Sequence, residues 1–533
     1  MAELSNTLLA GELQAVAGVS ESDPPAAHAW FGPRPVFLIL VALCALVFVL
    51  RLQTYEEPLE RDLATYAVIA HEMLGGRALY TELWDHKPPA IHVTYAVAEL
   101  IAGYGHASIF VMNVAAALVT LVACYFAGSA IRGGWIGGVV AATVWAVASG
   151  DVDLHGNQPN TEAFLNACLA SALAIFLRAE KHSLGYRGAV VAGILFALAS
   201  LYKPVAVIQA AFLGCAYIAW PPSGSRKKAI VEIAIIAAVG AAAWLLVFTY
   251  FFTQGRGEAF IQAVFTYNSF YSGSIVNNLS EGLSVPPISP DGLAVLFSLA
   301  VLSAAGGVVA GIFGPRRPWV LLLAFAVATH IAVLVPGWFF PHYYQLWLPP
   351  LAIGAGWSVA LLKNILPGRL SWFSYVTAGV VCGALFILEL PSYLTHADTW
   401  SLQKYGNIFL ESDRLAKRID KMLLPNETFY EWGGEPGLYF MTQRRPPSGI
   451  LYAAPMLKGP LMLPISMRLI DDLEQAKPDL LVMERIIGAH TPAAHPVMKW
   501  FRKNYRPLSQ NKKFLLFARN GSRLQAEQDA VPK

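Results

Sequence analysis

Charge is what this sequence has least of. Lys, Arg, Asp and Glu make up 14% of its 533 residues while hydrophobic residues reach 56%, whereas soluble domains run to about a quarter charged. That shortage excludes an ordinary soluble globular chain, and it means that a large apolar face is turned to lipid. Neither sign of charge prevails: the formal net charge is +3, which leaves no electrostatic footprint for nucleic acid. Cysteine is scarce as well. Cys44, Cys124, Cys168, Cys215 and Cys382 lie inside apolar runs without CxxC spacing. A disulfide framework or zinc cluster is excluded, and buried free thiols are expected. Residues 1–33 lack the basic-then-apolar order of a cleavable signal peptide and read as a loose cytoplasmic tail.

Long hydrophobic runs are what the chain has instead. Runs suited to crossing a bilayer cover 35–52, 107–128, 134–150, 162–178, 186–201, 204–220, 229–252, 292–314, 319–336, 344–362 and 371–390, about eleven or more spans in all. Ala90 to Gly103 is apolar but short and interrupted, and reads as an interfacial or re-entrant helix. With that reading Arg132, Arg178, Arg187, Arg226, Arg316 and Lys363 all fall on the cytoplasmic side, as the positive-inside rule requires. The expected fold class is a mainly α polytopic membrane domain over 34–390. Loops 53–89, 151–161, 253–291 and 337–343 then share its outer face. Residues 391–533 follow as an external domain in which apolar density drops. There "TFYEW" and "DLLVME" read as strands, and "SMRLIDDLEQA" and "HPVMKWFRKNY" as helices, so a small α/β unit is expected.

The chemistry-bearing residues gather in the outer loops. In the first, Glu60, Arg61 and Asp62 begin an amphipathic helix that Gly75 and Gly76 end. Asp85, His86 and Lys87 follow, and Pro88 and Pro89 suit the first turn of the next helix. Lys87 thus precedes a helix N-terminus, whose unpaired N–H groups favour anions. Glu56, Glu57 and Arg77 read as solvated loop charges. Asp62 and Lys87 read as functional, because charges held against membrane helices are costly without a use. In the second loop, Asp151 and Asp153 form a DxD that is too common a pattern to stand alone as a metal site. Glu162 begins a span at membrane depth, where helix capping by Asn160 or Thr161 is the ordinary reading of its neighbourhood. Lys203 closes a span in "LYKP", and snorkelling to the headgroups is its ordinary reading. His342, Tyr343 and Tyr344 lie at an outer boundary; an aromatic belt accounts for the tyrosines and leaves the histidine unexplained.

"ERDLATY", "GGRALYTELWDHKPP" and, far downstream, "HYYQLWLPPLA" resemble the bacterial integral-membrane glycosyltransferases of the GT-C type, relatives of protein O-mannosyltransferases and of the aminoarabinose transferases that modify lipid A. The resemblance covers most of residues 50–362. It implies a GT-C fold in the bacterial inner membrane, with an active site facing the periplasm. It implies a sugar donor carried on polyprenyl phosphate and an acceptor in the cell envelope: a lipid such as lipid A, another glycan, or a protein. By this resemblance Asp62 matches the first-loop acid that serves as catalytic base, Lys87 matches the lysine on the carrier phosphate, and Tyr343 falls near the family's site tyrosine. Two departures bear on sugar recognition: Leu63 stands where a second acid is common, and His86 replaces the glutamate before the lysine.

The chemistry that the resemblance implies makes sense in terms of these residues. A sugar on a lipid phosphate already has a good leaving group, so no general acid is needed. The departing phosphate needs a cation, which Lys87, with Arg61 or Lys203, can supply. The acceptor hydroxyl needs a base within hydrogen-bond reach, and a carboxylate serves. A lysine in place of a divalent cation makes metal unnecessary, so no cofactor is expected. Asp85, His86, Glu162, His342 and Tyr343 are the expected substrate contacts. The rival reading is a transporter or flippase. It fits less well, because transporters set ionisable groups near mid-membrane and show repeat symmetry.

Overall fold

A computed structural model describes residues 34–530, apart from 132–133, 180–182, 223, 285, 287 and 315. The expected cytoplasmic tail 1–33 lies outside the described residues. Each apolar run of the sequence becomes a helix. Among the described residues nine helices are long and apolar enough to cross a membrane, from Arg34–Leu52 to Gly368–Tyr393. Trp135–Ala148 and Ala206–Ala219 are shorter. Ala90–Ala102 has 13 residues, roughly 20 Å at the α-helical rise, less than the ~30 Å of a bilayer core.

Small residues set how closely the bundle packs. A Cβ on Gly356 would meet the Gly137 carbonyl oxygen at 2.2 Å, so the helices Leu348–Ile365 and Trp135–Ala148 approach backbone to backbone there. This is the device by which membrane helices gain dispersion contact without a hydrophobic driving force. The thiols divide against expectation. Cys124 and Cys168 are buried, but Cys215 is exposed, because it lies on the outward side of Ala206–Ala219.

The segments between spans are structured. The expected helix after Glu60 runs Arg61–Leu74, with Glu60 as N-cap accepting from the Leu63 amide. It is not a half-solvated amphipathic helix: every residue from Leu63 to Ala70 is buried. In the segment after Thr253 the chain forms short helices between Gly257 and Glu281 that include a π-helical turn, Gln262–Tyr267. A 3-10 turn, Pro341–Trp347, precedes Leu348–Ile365.

The C-terminal unit is α/β, as its periodicities predict. Strands β1 (Leu83–Trp84), β2 (Phe429–Trp432), β3 (Gly449–Ile450), β4 (Leu480–Glu484), β5 (Tyr505–Gln510) and β6 (Phe514–Arg519) form two sheets. One has the order β2-β4-β6-β5, with β2 parallel to β4 and the rest antiparallel. Helix Met462–Ala476 buries Ile465, Leu469 and Leu473, an i, i+4, i+8 stripe that begins one residue before "SMRLIDDLEQA". The second sheet joins β1 to β3 in parallel, Leu83 opposite Gly449 and Trp84 opposite Ile450. Two residues of the first loop are thus stitched to the C-terminal unit directly before Asp85.

Candidate active site

That stitch carries Asp85, His86 and Lys87 into a cavity of about 730 Å3, walled by the first loop, segments 267–271 and 338–343, and the C-terminal unit. Asp62 sits in the first turn of Arg61–Leu74. Its carboxylate lies 3.9 Å from the Lys87 ammonium and accepts from the Tyr66 hydroxyl at 3.3 Å. Lys87 is nearly buried. Burial pulls its ammonium down, yet Asp62, with Tyr271, Asp85 and Glu162, holds it above the usual lysine range. It stays a cation although nearly enclosed by protein. Beside them, burial and then the Asp62 charge push the Glu60 carboxyl up to about 8.

The backbone at Lys87 is fixed from several sides. Tyr80 donates to the Lys87 carbonyl at 2.9 Å, and Asn268 donates to the His86 carbonyl at 2.7 Å. The helix that follows begins at Ala90 with Pro89 as N-cap, so both prolines precede the first turn rather than lie in it. Asp85 is buried. It accepts from the Tyr452 hydroxyl at 2.9 Å and lies 3.3 Å from His86 and 3.2 Å from His92. Burial alone would raise its carboxyl; the hydrogen bonds and favourable electrostatics it gains from the two imidazoles take it well below the carboxylate range. His86 in turn meets the Tyr452 hydroxyl at 3.0 Å, which accepts from the ring because its own proton goes to Asp85. Burial, then Lys87, keeps this histidine below its usual value. Asp85 therefore orients His86 rather than facing the cavity as a free acid.

A second polar cluster lies one helix away. Glu162, fully buried, pairs with Lys203 and accepts from the Thr161 hydroxyl at 2.8 Å. The helix is capped by Asn160, which accepts from the Thr161 amide. Lys203 also stands 3.9 Å over the Tyr343 ring, so Glu162, Lys203 and Tyr343 form one group. The edge of Tyr343 meets the His342 ring at 4.8 Å, and both line the cavity with Asp62 and Lys87. Lys203 has its carboxylate partner in Glu162. Arg61 is likewise engaged, by Glu435 at 2.9 Å and Glu484 at 3.2 Å.

The C-terminal unit supplies much of what the sequence did not single out. Tyr452, Glu484, Gly433 and Gly434 reach the cavity from it, and Tyr405 reaches it from the preceding helix. No local pattern marks these residues, because their proximity to Asp62 arises from pairing across some 370 positions, as in the Arg61–Glu435 bond. Glu57 corrects the reading of it as a solvated charge: it is buried against Lys404 at 2.9 Å and Gln158 at 3.1 Å. Arg77 is held by Glu72 at 3.1 Å and by the Pro446 carbonyl. Asp151 ties its own loop, accepting from the amides of Asp153 and Leu154 at 2.7 and 3.0 Å. Among the described residues no group of three or more His, Cys, Asp or Glu is placed to hold a metal ion.

No protein-family model and no curated protein matches the sequence. Solved structures match the architecture. ArnT from Cupriavidus metallidurans, bound to undecaprenyl phosphate, matches with a TM-score of 0.61 at 16% identity, over 95% of this chain and 100% of that one. The archaeal oligosaccharyltransferase AglB from Archaeoglobus fulgidus, in complex with an inhibitory peptide and a dolichol-phosphate, matches at 0.53 and 14% identity, over 94% and 75%. The arabinofuranosyltransferase AftD from Mycobacteria matches at 0.52 and 12% identity, over 94% of this chain but 40% of AftD.

Proposed function

We propose, from the premise that this chain has the GT-C fold shared by those glycosyltransferases, that it is a membrane glycosyltransferase using a polyprenyl-phosphate-linked sugar as donor and a cell-envelope molecule as acceptor. The observation that carries the reading is the carboxylate–ammonium pair Asp62–Lys87, 3.9 Å apart at the wall of a large cavity on the loop-rich face. The acceptor hydroxyl gives its proton to Asp62 as its oxygen attacks the anomeric carbon. The bond from that carbon to the phosphate oxygen breaks, and the electron pair leaves with the polyprenyl phosphate. Lys87 meets the charge that develops there. Without ligand the two side chains neutralise one another. Phosphate then takes Lys87, and Asp62 turns to the acceptor.

The remaining polar groups support this division of labour. His86, held neutral by burial and oriented through its Nδ1–H by Asp85 and Tyr452, keeps Nε2 free to accept a hydrogen bond from a hydroxyl of the donor sugar. His342 and Tyr343 border the same space, with Lys203 and Glu162 behind Tyr343. The arrangement of basic connectors favours a periplasmic site in a bacterial inner membrane. Mass spectrometry of envelope glycolipids and glycans, with and without the gene, is the direct test. A modification present in the parent, missing in the deletion strain and restored by the intact gene but not by an Asp62→Asn copy is expected. Identical envelopes would refute the reading.

A further inference from the structure

The cavity has volume to spare beyond Asp62 and Lys87, and one of its walls is aromatic. Tyr271, Trp338, Phe340 and His342 follow one another as nearly parallel rings. Their centroids are 4.9, 5.9 and 5.7 Å apart and their planes 22°, 12° and 11° apart. Such spacings are those of offset stacking, so each ring covers its neighbour only in part and the row forms a stair. Trp338 and Phe340 line the cavity yet stay 40% and 39% exposed. The indole is fixed, since its Nε1 donates to the Tyr271 carbonyl at 3.1 Å. The row continues past His342 to His155, whose ring stacks on it at 6.5 Å and meets Tyr405 edge to face at 4.6 Å; His155 stands on a left-handed backbone with φ 50°. A non-glycine residue in that region carries a strain that tends to mark functional sites.

Large rings held rigid and open to a wet cavity forfeit hydrophobic free energy until something covers them. The cover must be apolar on one face and hydroxylated at its rim, because ring walls here alternate with a phenol, an imidazole and the Glu60 carboxyl. A sugar ring meets both conditions; a polyprenyl chain meets only the first. We propose that this wall is a subsite for a glycan acceptor. Successive sugar rings lie with their C–H faces across Trp338 and Phe340, their hydroxyls reach His155 and Tyr405, and the chain end presents its hydroxyl to Asp62. The proposal rests on the transferase reading above and names the acceptor class for it.

Full-length protein in lipid nanodiscs tests it by saturation-transfer NMR. The probe is the polysaccharide fraction of a strain lacking the gene, with undecaprenyl phosphate titrated separately. Wild type should transfer saturation to sugar ring protons. Trp338→Ala and Phe340→Ala should weaken the glycan by about tenfold or more, the scale of a lost aromatic contact, and leave undecaprenyl phosphate binding unchanged. Trp338→Tyr, which keeps a ring, should retain most glycan binding and guards against a folding artefact. Lys87→Ala should show the reverse selectivity. If Trp338→Ala loses undecaprenyl phosphate and keeps the glycan, the wall is a groove for the carrier chain and the proposal is overturned while the transferase reading stands. Wild type that binds the carrier but gives no glycan signal overturns it equally. Absence of carrier binding in wild type defeats the transferase reading, and the subsite with it.

Discussion

Replacing Asp62 by asparagine keeps its size and its hydrogen bond from Tyr66 while removing its basicity, so it isolates one role. Loss of a general base costs about 10²–10⁴ in kcat, and a fall of that size with carrier binding intact is the expected kinetic result. Lys87→Ala removes the cation in ground and transition states alike, so carrier affinity and kcat should both fall. Lys87→Arg should recover part of the loss, limited by the wider guanidinium and the crowded backbone around residue 87. Wild-type turnover by well-expressed Asp62→Asn in a donor-consumption assay would remove Asp62 as the base and leave Glu60, its half-buried neighbour in the same cavity, as the next acid to test.

A second residue-scale expectation concerns pH. Burial, against the opposing pull of Arg61, raises the Glu435 carboxyl to about 7 from an ordinary 4.5. Between those values the folded state keeps a proton that the unfolded chain has lost. Folding stability therefore declines as pH rises from about 4.5 and levels off above about 7. Thermal unfolding in detergent across that range should show the decline, and Glu435→Gln should flatten it. An unchanged slope would mean that Glu435 is ionised in the folded protein.

At the scale of elements, the two-residue sheet between β1 and β3 does more than its length suggests. A Cβ on Gly449 would stand 1.8 Å from the Glu82 carbonyl oxygen, so only glycine lets the strands pair. Gly449→Val should cost about 1–3 kcal/mol of overpacking strain, concentrated at the contact that sets Asp85, His86 and Lys87. Limited proteolysis should find the first loop and the C-terminal unit more readily cut, and sugar transfer should fall although no cavity side chain has changed. Normal transfer with normal protection would show that the stitch is dispensable. Arg61 with Glu435 and Glu484 makes a parallel connection, tying the helix that carries Asp62 to the end of β2 and β4.

For the whole molecule, orientation and metal dependence are the open physical questions. Reporter tags after Gly224 and Gly368 should lie in the cytoplasm, and tags near Asn157 and at the C-terminus in the periplasm. A cytoplasmic C-terminus would overturn the outer-face site. Chelator should leave transfer largely intact if Lys87 carries the phosphate charge. The accompanying variant should be Asp151→Asn with Asp153→Asn, because Asp151 holds its loop by accepting two amides and alanine would confound structure with metal binding. Activity lost in EDTA and restored by Mn²⁺ or Mg²⁺ would make these aspartates ligands and demote the lysine.

What the sequence determined by itself was whatever depends on local pattern. Apolar runs had to become helices, since only internal hydrogen bonding satisfies a backbone in lipid. The short apolar and aromatic runs "TFYEW" and "DLLVME" read as strands and form β2 and β4, which are buried at every position. Asp62 and Lys87 stood out because charge is conspicuous in so apolar a chain. Tertiary structure decided the rest through contacts between distant segments. It buried Glu57 against Lys404, turned Asp85 onto Tyr452, and closed Lys203 onto Glu162. It also paired Leu83 with Gly449 and set Trp338 beside Tyr271. None of these partners lies within reach along the chain, and a side chain's charge state, exposure and orientation follow from its neighbours in space.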